Sequence, residues 1–159
     1  MIILSHPTGN FNTRITAKVL HEYQLLDEFH TCLSLPRNNP FINLLGGKIK
    51  DEYLRRVFLE IPESKQVSHP YREFLRLVSS RIGLIQDLNS ESHPLSVHSL
   101  YTSFDKEIAK RLKKKTHSRA VYSYEDGAKE TFIQAKKKGL KCIYELPIGY
   151  WRSALSIFE

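Results

Sequence analysis

The spacing of apolar residues changes several times along the chain, and each change predicts an element. Ile2-Ile3-Leu4-Ser5 is a short apolar run that reads as a first strand. Pro7-Thr8-Gly9-Asn10 is a turn. From about Thr13, the residues Ile15, Val19 and Tyr23 recur at a spacing of one helical turn, so a helix with that face inward is expected. Asn12 or Thr13 suits its N-cap, because either side chain can accept an orphan backbone N–H. Leu25, Leu26 and Phe29 extend the apolar surface, and residues 31–35 alternate as a second strand ended by Pro36. Residues 37–50 are irregular. Residues 51–59 fit a helix that buries Tyr53, Leu54, Val57, Phe58 and Ile61 before Pro62 stops it.

His69-Pro70-Tyr71-Arg72-Glu73 opens another helix, with Pro70 at the permitted first position and Phe74, Leu75, Leu77 and Val78 facing the core. Residues 95–101 alternate, either as a short strand or as the approach to the next helix. That helix repeats Phe104, Ile108 and Leu112, with Asp105 in its first turn as a favoured capping carboxylate. Residues 120–124 are a strand. Glu125-Asp126-Gly127 interrupts it, and Ala128, Phe132 and Ala135 continue at helical spacing until Gly139. Cys142-Ile143-Tyr144 begins a last strand, closed by Pro147 and Gly149. Two strands joined by one helix must run parallel. Alternating strands and helices therefore predict a three-layer, Rossmann-like α/β domain with a mostly parallel sheet. Ligands of such sheets gather beyond the carboxyl ends of the strands.

Composition narrows the class. The 159 residues are 41% hydrophobic and 26% charged, which suits one globular domain. No apolar run approaches the roughly 20 residues of a membrane-spanning helix. Cys32 and Cys142 form no metal spacing and no disulfide framework, which points to a reducing cytoplasm. Much of the net charge of +7 comes from the lysine-rich runs 110–115 and 136–141. Both fall at helix C-termini, where cations oppose the negative end of the dipole. A solvated, dipole-matched face accounts for them; the rival is an anionic partner such as a membrane surface or nucleic acid. No aromatic-interleaved nucleic-acid signature accompanies the runs, so no nucleic-acid partner is expected.

Familiar catalytic signatures are missing. The chain has no Gly-x-Gly-x-x-Gly, no Gly-Lys-Ser/Thr loop, no nucleophile elbow and no clustered Cys/His ligand set, so neither a metal nor a cofactor is called for. His6, His69, His93 and His98 are scattered. Glu125 and Asp126 form the best acidic pair, but neighbours on an extended backbone point to opposite faces. If Asp126 caps the following helix, Glu125 is the freer group. A helix start after the Gly9 turn can also hold an anion on backbone N–H groups.

Taken in order, His6-Pro7-Thr8-Gly9-Asn10, His69-Pro70-Tyr71-Arg72-Glu73, Ser103-Phe104-Asp105, Tyr124-Glu125-Asp126-Gly127-Ala128 and Tyr144-Glu145-Leu146-Pro147-Ile148-Gly149-Tyr150-Trp151 resemble a branch of bacterial group 1 glycosyltransferases of the GT-B fold. The likeness runs over nearly the whole chain. It implies an enzyme of two Rossmann-like domains with the active site in the cleft between them. The N-terminal domain mainly binds the acceptor, and the C-terminal domain binds the sugar nucleotide. Residues 1–159 match only the first, so the resemblance implies a single acceptor-side domain cut short before the donor domain. Such a domain would be inactive alone, and its donor half would be supplied in cis or in trans.

The resemblance further implies transfer of a sugar, with retention, from a nucleotide-sugar donor to a hydroxyl of a glycan or lipid-linked acceptor. Glu125 would be the catalytic residue. Thr8, Gly9 and Asn10 map to the loop that approaches the donor diphosphate, and Arg72, Tyr124 and Asp126 to substrate contacts. The expected location is the cytoplasm, with contact to a membrane periphery. Rival classes are a non-catalytic Rossmann-like binding module or the subunit of a split enzyme. A downstream in-frame second domain would separate the enzyme from both.

Overall fold

The computed structural model describes residues 1–36, 38, 47–73, 75, 76, 93–114, 117–125 and 127–146. In chain order the elements are β1 (Ile2–Ser5), α1 (Phe11–Glu22), β2 (Leu26–Thr31), α2 (Gly47–Leu54), a 3-10 turn (Glu63–Lys65), β3 (Gln66–Ser68), α3 (Val97–Lys114), β4 (Ala120–Tyr124), α4 (Lys129–Lys137) and β5 (Lys141–Glu145). A further helical stretch starts at Pro70, the position where a missing N–H costs nothing. The five strands form one all-parallel sheet in the order β3-β2-β1-β4-β5. The chain thus winds outward from β1 to β3, then crosses to β4 on the other side of β1. This is the Rossmann-like, three-layer α/β architecture. The chain order reverses between β1 and β4, which makes the carboxyl ends of those strands a natural binding crevice.

Helices cover both faces, so the central strands bury residues on both sides. On one face Leu4, Leu26, Phe29 and Tyr124 pack with Ala17 of α1 and with Phe58 and Ile61. On the other, Ile3 and Val121 pack with Leu100, Phe104, Ile108 and Leu112 of α3 and Ala135 of α4. Consecutive residues Ile3 and Leu4 therefore serve opposite cores, as alternation along a strand requires. Asp105 ties the second layer together. Its carboxylate accepts the Glu130 N–H at 2.7 Å and the Thr131 N–H at 2.9 Å, capping α4 from α3. No helix among the described residues is long and apolar enough to cross a membrane.

Several expectations need correction. Helix α1 starts at Phe11, and Asn10 is its N-cap, accepting the Thr13 N–H at 2.9 Å. Its buried side carries Thr13 and Ala17, while Ile15, Val19 and Tyr23 are exposed. The second strand lies at Leu26–Thr31 rather than 31–35. Helix α2 ends at Leu54, and Val57, Phe58 and Ile61 are buried from a non-helical segment beyond it. Leu75 is exposed. Residues 97–101 are helix, so the short strand alternative falls, and Asp105 sits inside α3 and caps its neighbour instead. Strand β3 was not expected at all. Strands β1 and β4, helix α4 with its left-handed Gly139 (φ 71°), and β5 agree with the sequence reading. The predicted core positions Phe74, Leu77 and Val78 and the closing Pro147 and Gly149 lie outside the described residues.

Candidate functional site

Beyond the carboxyl ends of β1 and β2 lies an open cavity of about 800 Å³. The loop Pro7–Asn10 forms one wall, and Cys32 and Leu33 after β2 form another. Asp51, Glu52, Leu54, Arg55 and Arg56 close it from α2 and its exit, with Glu73 and Arg76 opposite.

The β1 loop is held in one conformation. Gly9 has φ 60°, and a Cβ there would lie 2.3 Å from the ring of Phe58. Only glycine fits so close a contact with that backbone. Arg14 of α1 grips the turn from below. Its Nε donates to the Gly9 carbonyl at 3.2 Å, its Nη1 donates to the Val57 carbonyl at 2.9 Å, and its guanidinium lies 4.2 Å over the Phe58 ring. His6 organises the turn from above. Its Nδ1 accepts the N–H groups of Thr8 and Gly9 at 3.1 and 2.9 Å, so the ring proton sits on Nε2. Burial pulls the His6 pKa down to about 4, with Glu145 opposing, and the ring is neutral near pH 7.

The cavity wall interleaves donors and acceptors. Arg56 bonds Glu52 and also Glu73, the latter at 2.9 Å. Arg76 donates to the other Glu73 oxygen at 3.3 Å, and Arg55 donates to Glu52 at 2.6 Å. Glu73 is buried, so its charge needs this double guanidinium pairing. Cys32, buried beside them, has its thiol pKa pushed up to about 12 by burial and by Glu73, and it is a neutral thiol.

The sequence-predicted residues divide. Thr8, Gly9 and Asn10 line the cavity together. Their backbone is committed, however: Thr8 and Gly9 donate to His6, and the Asn10 side chain caps α1. An anion at this turn would have to compete with the imidazole lone pair. Tyr124 is buried on the α1 face, its hydroxyl 3.1 Å from Thr16 Oγ1, and is part of the core. Glu125 is half-buried after β4, its N–H donating to the Glu145 carbonyl at 3.2 Å. Gly127 follows near Pro7, so the β4 exit flanks the β1 loop. Arg72 is exposed and donates to Ser99 Oγ at 3.0 Å, lining a separate cavity instead. Asp126 lies outside the described residues, and Asp105 supplies the α4 cap expected of it.

Sequence reasoning missed Arg14, Arg56, Glu73 and Arg76. Glu73 stood in the quoted Arg72-Glu73 motif, but apolar spacing ranks core positions and does not say which arginines of separate segments will meet a carboxylate. No group of three or more His, Cys, Asp or Glu side chains among the described residues is placed to hold a metal ion.

No family model matches the chain, and neither a curated protein nor a solved structure matches it. The glycosyltransferase resemblance rests on the ordered motifs alone.

Proposed function

We propose that this chain is the acceptor-side Rossmann-like domain of a retaining GT-B glycosyltransferase, moving a sugar from a nucleotide-sugar to a hydroxyl of a glycan or lipid-linked acceptor. The observation that carries the reading is the wall of the β1–β2 cavity. Guanidinium groups and carboxylates interleave there: Glu52 pairs with Arg55 and Arg56, Glu73 with Arg56 and Arg76, and Glu60, beside the wall, with Arg14. A polyphosphate pocket needs cations in excess of anions. A polyol needs donors and acceptors side by side, because each hydroxyl both gives and takes a hydrogen bond. The wall therefore suits the acceptor better than the donor diphosphate, in keeping with the acceptor role the resemblance implies.

In the reaction the bond from the anomeric carbon to the donor phosphate oxygen breaks, a bond from that carbon to the acceptor oxygen forms, and the hydroxyl proton passes to the departing diphosphate. The domain would contribute orientation of the acceptor, which is worth most when reactive atoms are held at contact distance. Glu125 at the β4 exit would meet the acceptor from the other side of the β1 loop.

The test is sugar transfer by the product of the complete reading frame, read as nucleotide diphosphate released from a panel of nucleotide-sugars with glycan and lipid-linked acceptors. Acceptor-dependent release is expected, with KM for the acceptor raised about tenfold by Arg55→Ala, the loss of one or two charge-assisted hydrogen bonds. Glu125→Gln is expected to lower kcat, and wild-type rates in that variant would remove Glu125 from the mechanism. Glycan binding without transfer would instead mark a binding module.

A further inference from the structure

A chain of hydrogen-bonded polar side chains runs from the surface through the α3 face of the sheet to a second cavity. Arg111 of α3 clamps Glu28 of β2 in a two-point bond, Nε to Oε2 and Nη2 to Oε1, both 2.9 Å. Glu28 Oε2 is 3.1 Å from His30 Nε2, and His30 Nδ1 is 3.0 Å from His69 Nε2. Glu28 and His30 are buried, and His69 stands just after β3. It also lines a cavity of about 230 Å³ with Tyr71, Arg72, Ser103, Phe104 and Glu107.

With the His30 ring neutral, the bonding fixes each proton along this chain. A carboxylate clamped by guanidinium is an acceptor only, so His30 must donate to it from Nε2. The neutral His30 ring then has an acceptor at Nδ1, and His69 must donate to it from Nε2. That leaves Nδ1 as the bare, basic nitrogen of His69. Two histidines held in opposite roles by one anchored acid form a relay that fixes the tautomer and the orientation of the outer ring.

We infer that Glu28, His30 and His69 form a buried proton relay that makes His69 a general base towards a hydroxyl-bearing ligand in the adjoining cavity. The ligand class follows from the walls. Tyr71 and Phe104 add apolar lining, while Ser103, Arg72 and Glu107 offer a few polar groups, which suits a small polyol with an apolar face. His69 would be the catalytic residue, and His30, Glu28 and Arg111 are positioning residues.

In the proton step the ligand hydroxyl gives its proton to His69 Nδ1, and its oxygen is left as the nucleophile. The Nε2 proton of His69 moves to His30 Nδ1, and the resulting imidazolium is paired with Glu28. Burial, and after it the neighbouring His30, lowers the His69 pKa to about 4; Arg111 also lowers it, while Glu107 and Glu28 raise it. The base is thus weaker than a free imidazole but unprotonated over the whole range from pH 8 to about pH 5. The inference does not rest on the glycosyltransferase reading.

The experiment uses the chain itself and two wild-type readouts. Long-range proton–nitrogen NMR, with His69→Gln for assignment, should show the Nε2–H tautomer at His69 from pH 8 to pH 5. Diethyl pyrocarbonate serves as the electrophile. It should ethoxycarbonylate His69 at the same rate at pH 7.5 and pH 5.5, while N-acetylhistidine in the same solution slows about tenfold, as an ordinary imidazole must. His30→Phe should release the tautomer, so that both ring-protonated forms of His69 appear in the same NMR spectra. An Nδ1–H tautomer, a His69 inert to the reagent in the folded chain, or a rate that falls with pH as in free histidine overturns the relay. The wild-type measurements decide the matter even if the variant does not fold.

Discussion

Gly9 shows how much one residue can carry. Its left-handed backbone and its contact with Phe58 each forbid a side chain, and the turn it makes aims the whole Pro7–Asn10 wall of the cavity. Gly9→Ala is expected to destabilise the fold by about 2–4 kcal/mol, the sum of a left-handed non-glycine residue and overpacking. Urea unfolding checks this; a loss below about 1 kcal/mol would mean that Phe58 swings aside. The sequence made Gly9 visible as a turn residue, since glycine beside proline and asparagine is a local signal. It could not reveal Phe58 as the reason. That contact spans about fifty positions and has no periodic trace. The same limit explains the misread face of α1. Ile15, Val19 and Tyr23 are the larger apolar residues, yet Thr13 and Ala17 are the ones buried, beside Leu4, Phe29 and Tyr124. Periodicity ranks faces by hydrophobicity, whereas close packing on a sheet selects small residues.

At the scale of elements, the contrast between β4 and β2 is instructive. Strand β4 sits in the middle of the sheet with Ala120, Val121 and Tyr124 buried, so its apolar run reads directly. Strand β2 is as deeply placed, but Asp27, Glu28 and His30 break its pattern. Those polar groups are tolerable only because partners reach them from elsewhere: Ser118 bonds Asp27, Arg111 bonds Glu28, and His69 bonds His30. Strand β3 was invisible because three residues, Gln66-Val67-Ser68, carry no pattern; pairing with Phe29, His30 and Thr31 defines it. The helix caps show the same borrowing. Helix α4 has no side-chain cap from its own N-cap residue, and α3 lends Asp105. Asp105→Ala is expected to cost about 1–3 kcal/mol, since it orphans two helix N–H groups in a buried place. Hydrogen exchange should rise first at Glu130 and Thr131. Unchanged protection there would assign the cap no energetic weight.

For the whole molecule, the two low-pKa histidines set an acid limit. In the fold, burial holds His6 and His69 near 4, against 6.5 for a free ring. Well above pH 6.5 both are neutral in folded and unfolded chains, and neither affects stability. As pH falls from 6.5 towards 4, the unfolded chain binds protons that the folded chain refuses. Stability must drop over that window, by at most about 1.4 kcal/mol per pH unit for each histidine. Urea midpoints measured between pH 7.5 and pH 4.5 should be level above pH 6.5 and decline below it. A midpoint constant down to pH 5 would mean that protons reach both rings in the native state. The pH response and the ligand-facing geometry thus share residues, since His6 shapes the β1 loop and His69 ends the relay.

The position of β1 has a consequence for how the molecule comes into being. Its four residues are the hub of the sheet, bonded to β2 on one side and β4 on the other. The Ser5 and Ser123 hydroxyls meet at 2.7 Å although they are separated by 118 residues in sequence. A ribosome adding about 5–20 residues per second needs roughly 6–24 s to span that gap. For that interval β1 can zip to β2, only some twenty residues away, but its other edge waits with open N–H and C=O groups. The nascent chain is therefore half a sheet with an unpaired edge exposed. The arrival of β4 lets the second half, and the Ile3–Val121 core beneath α3, close in one late step.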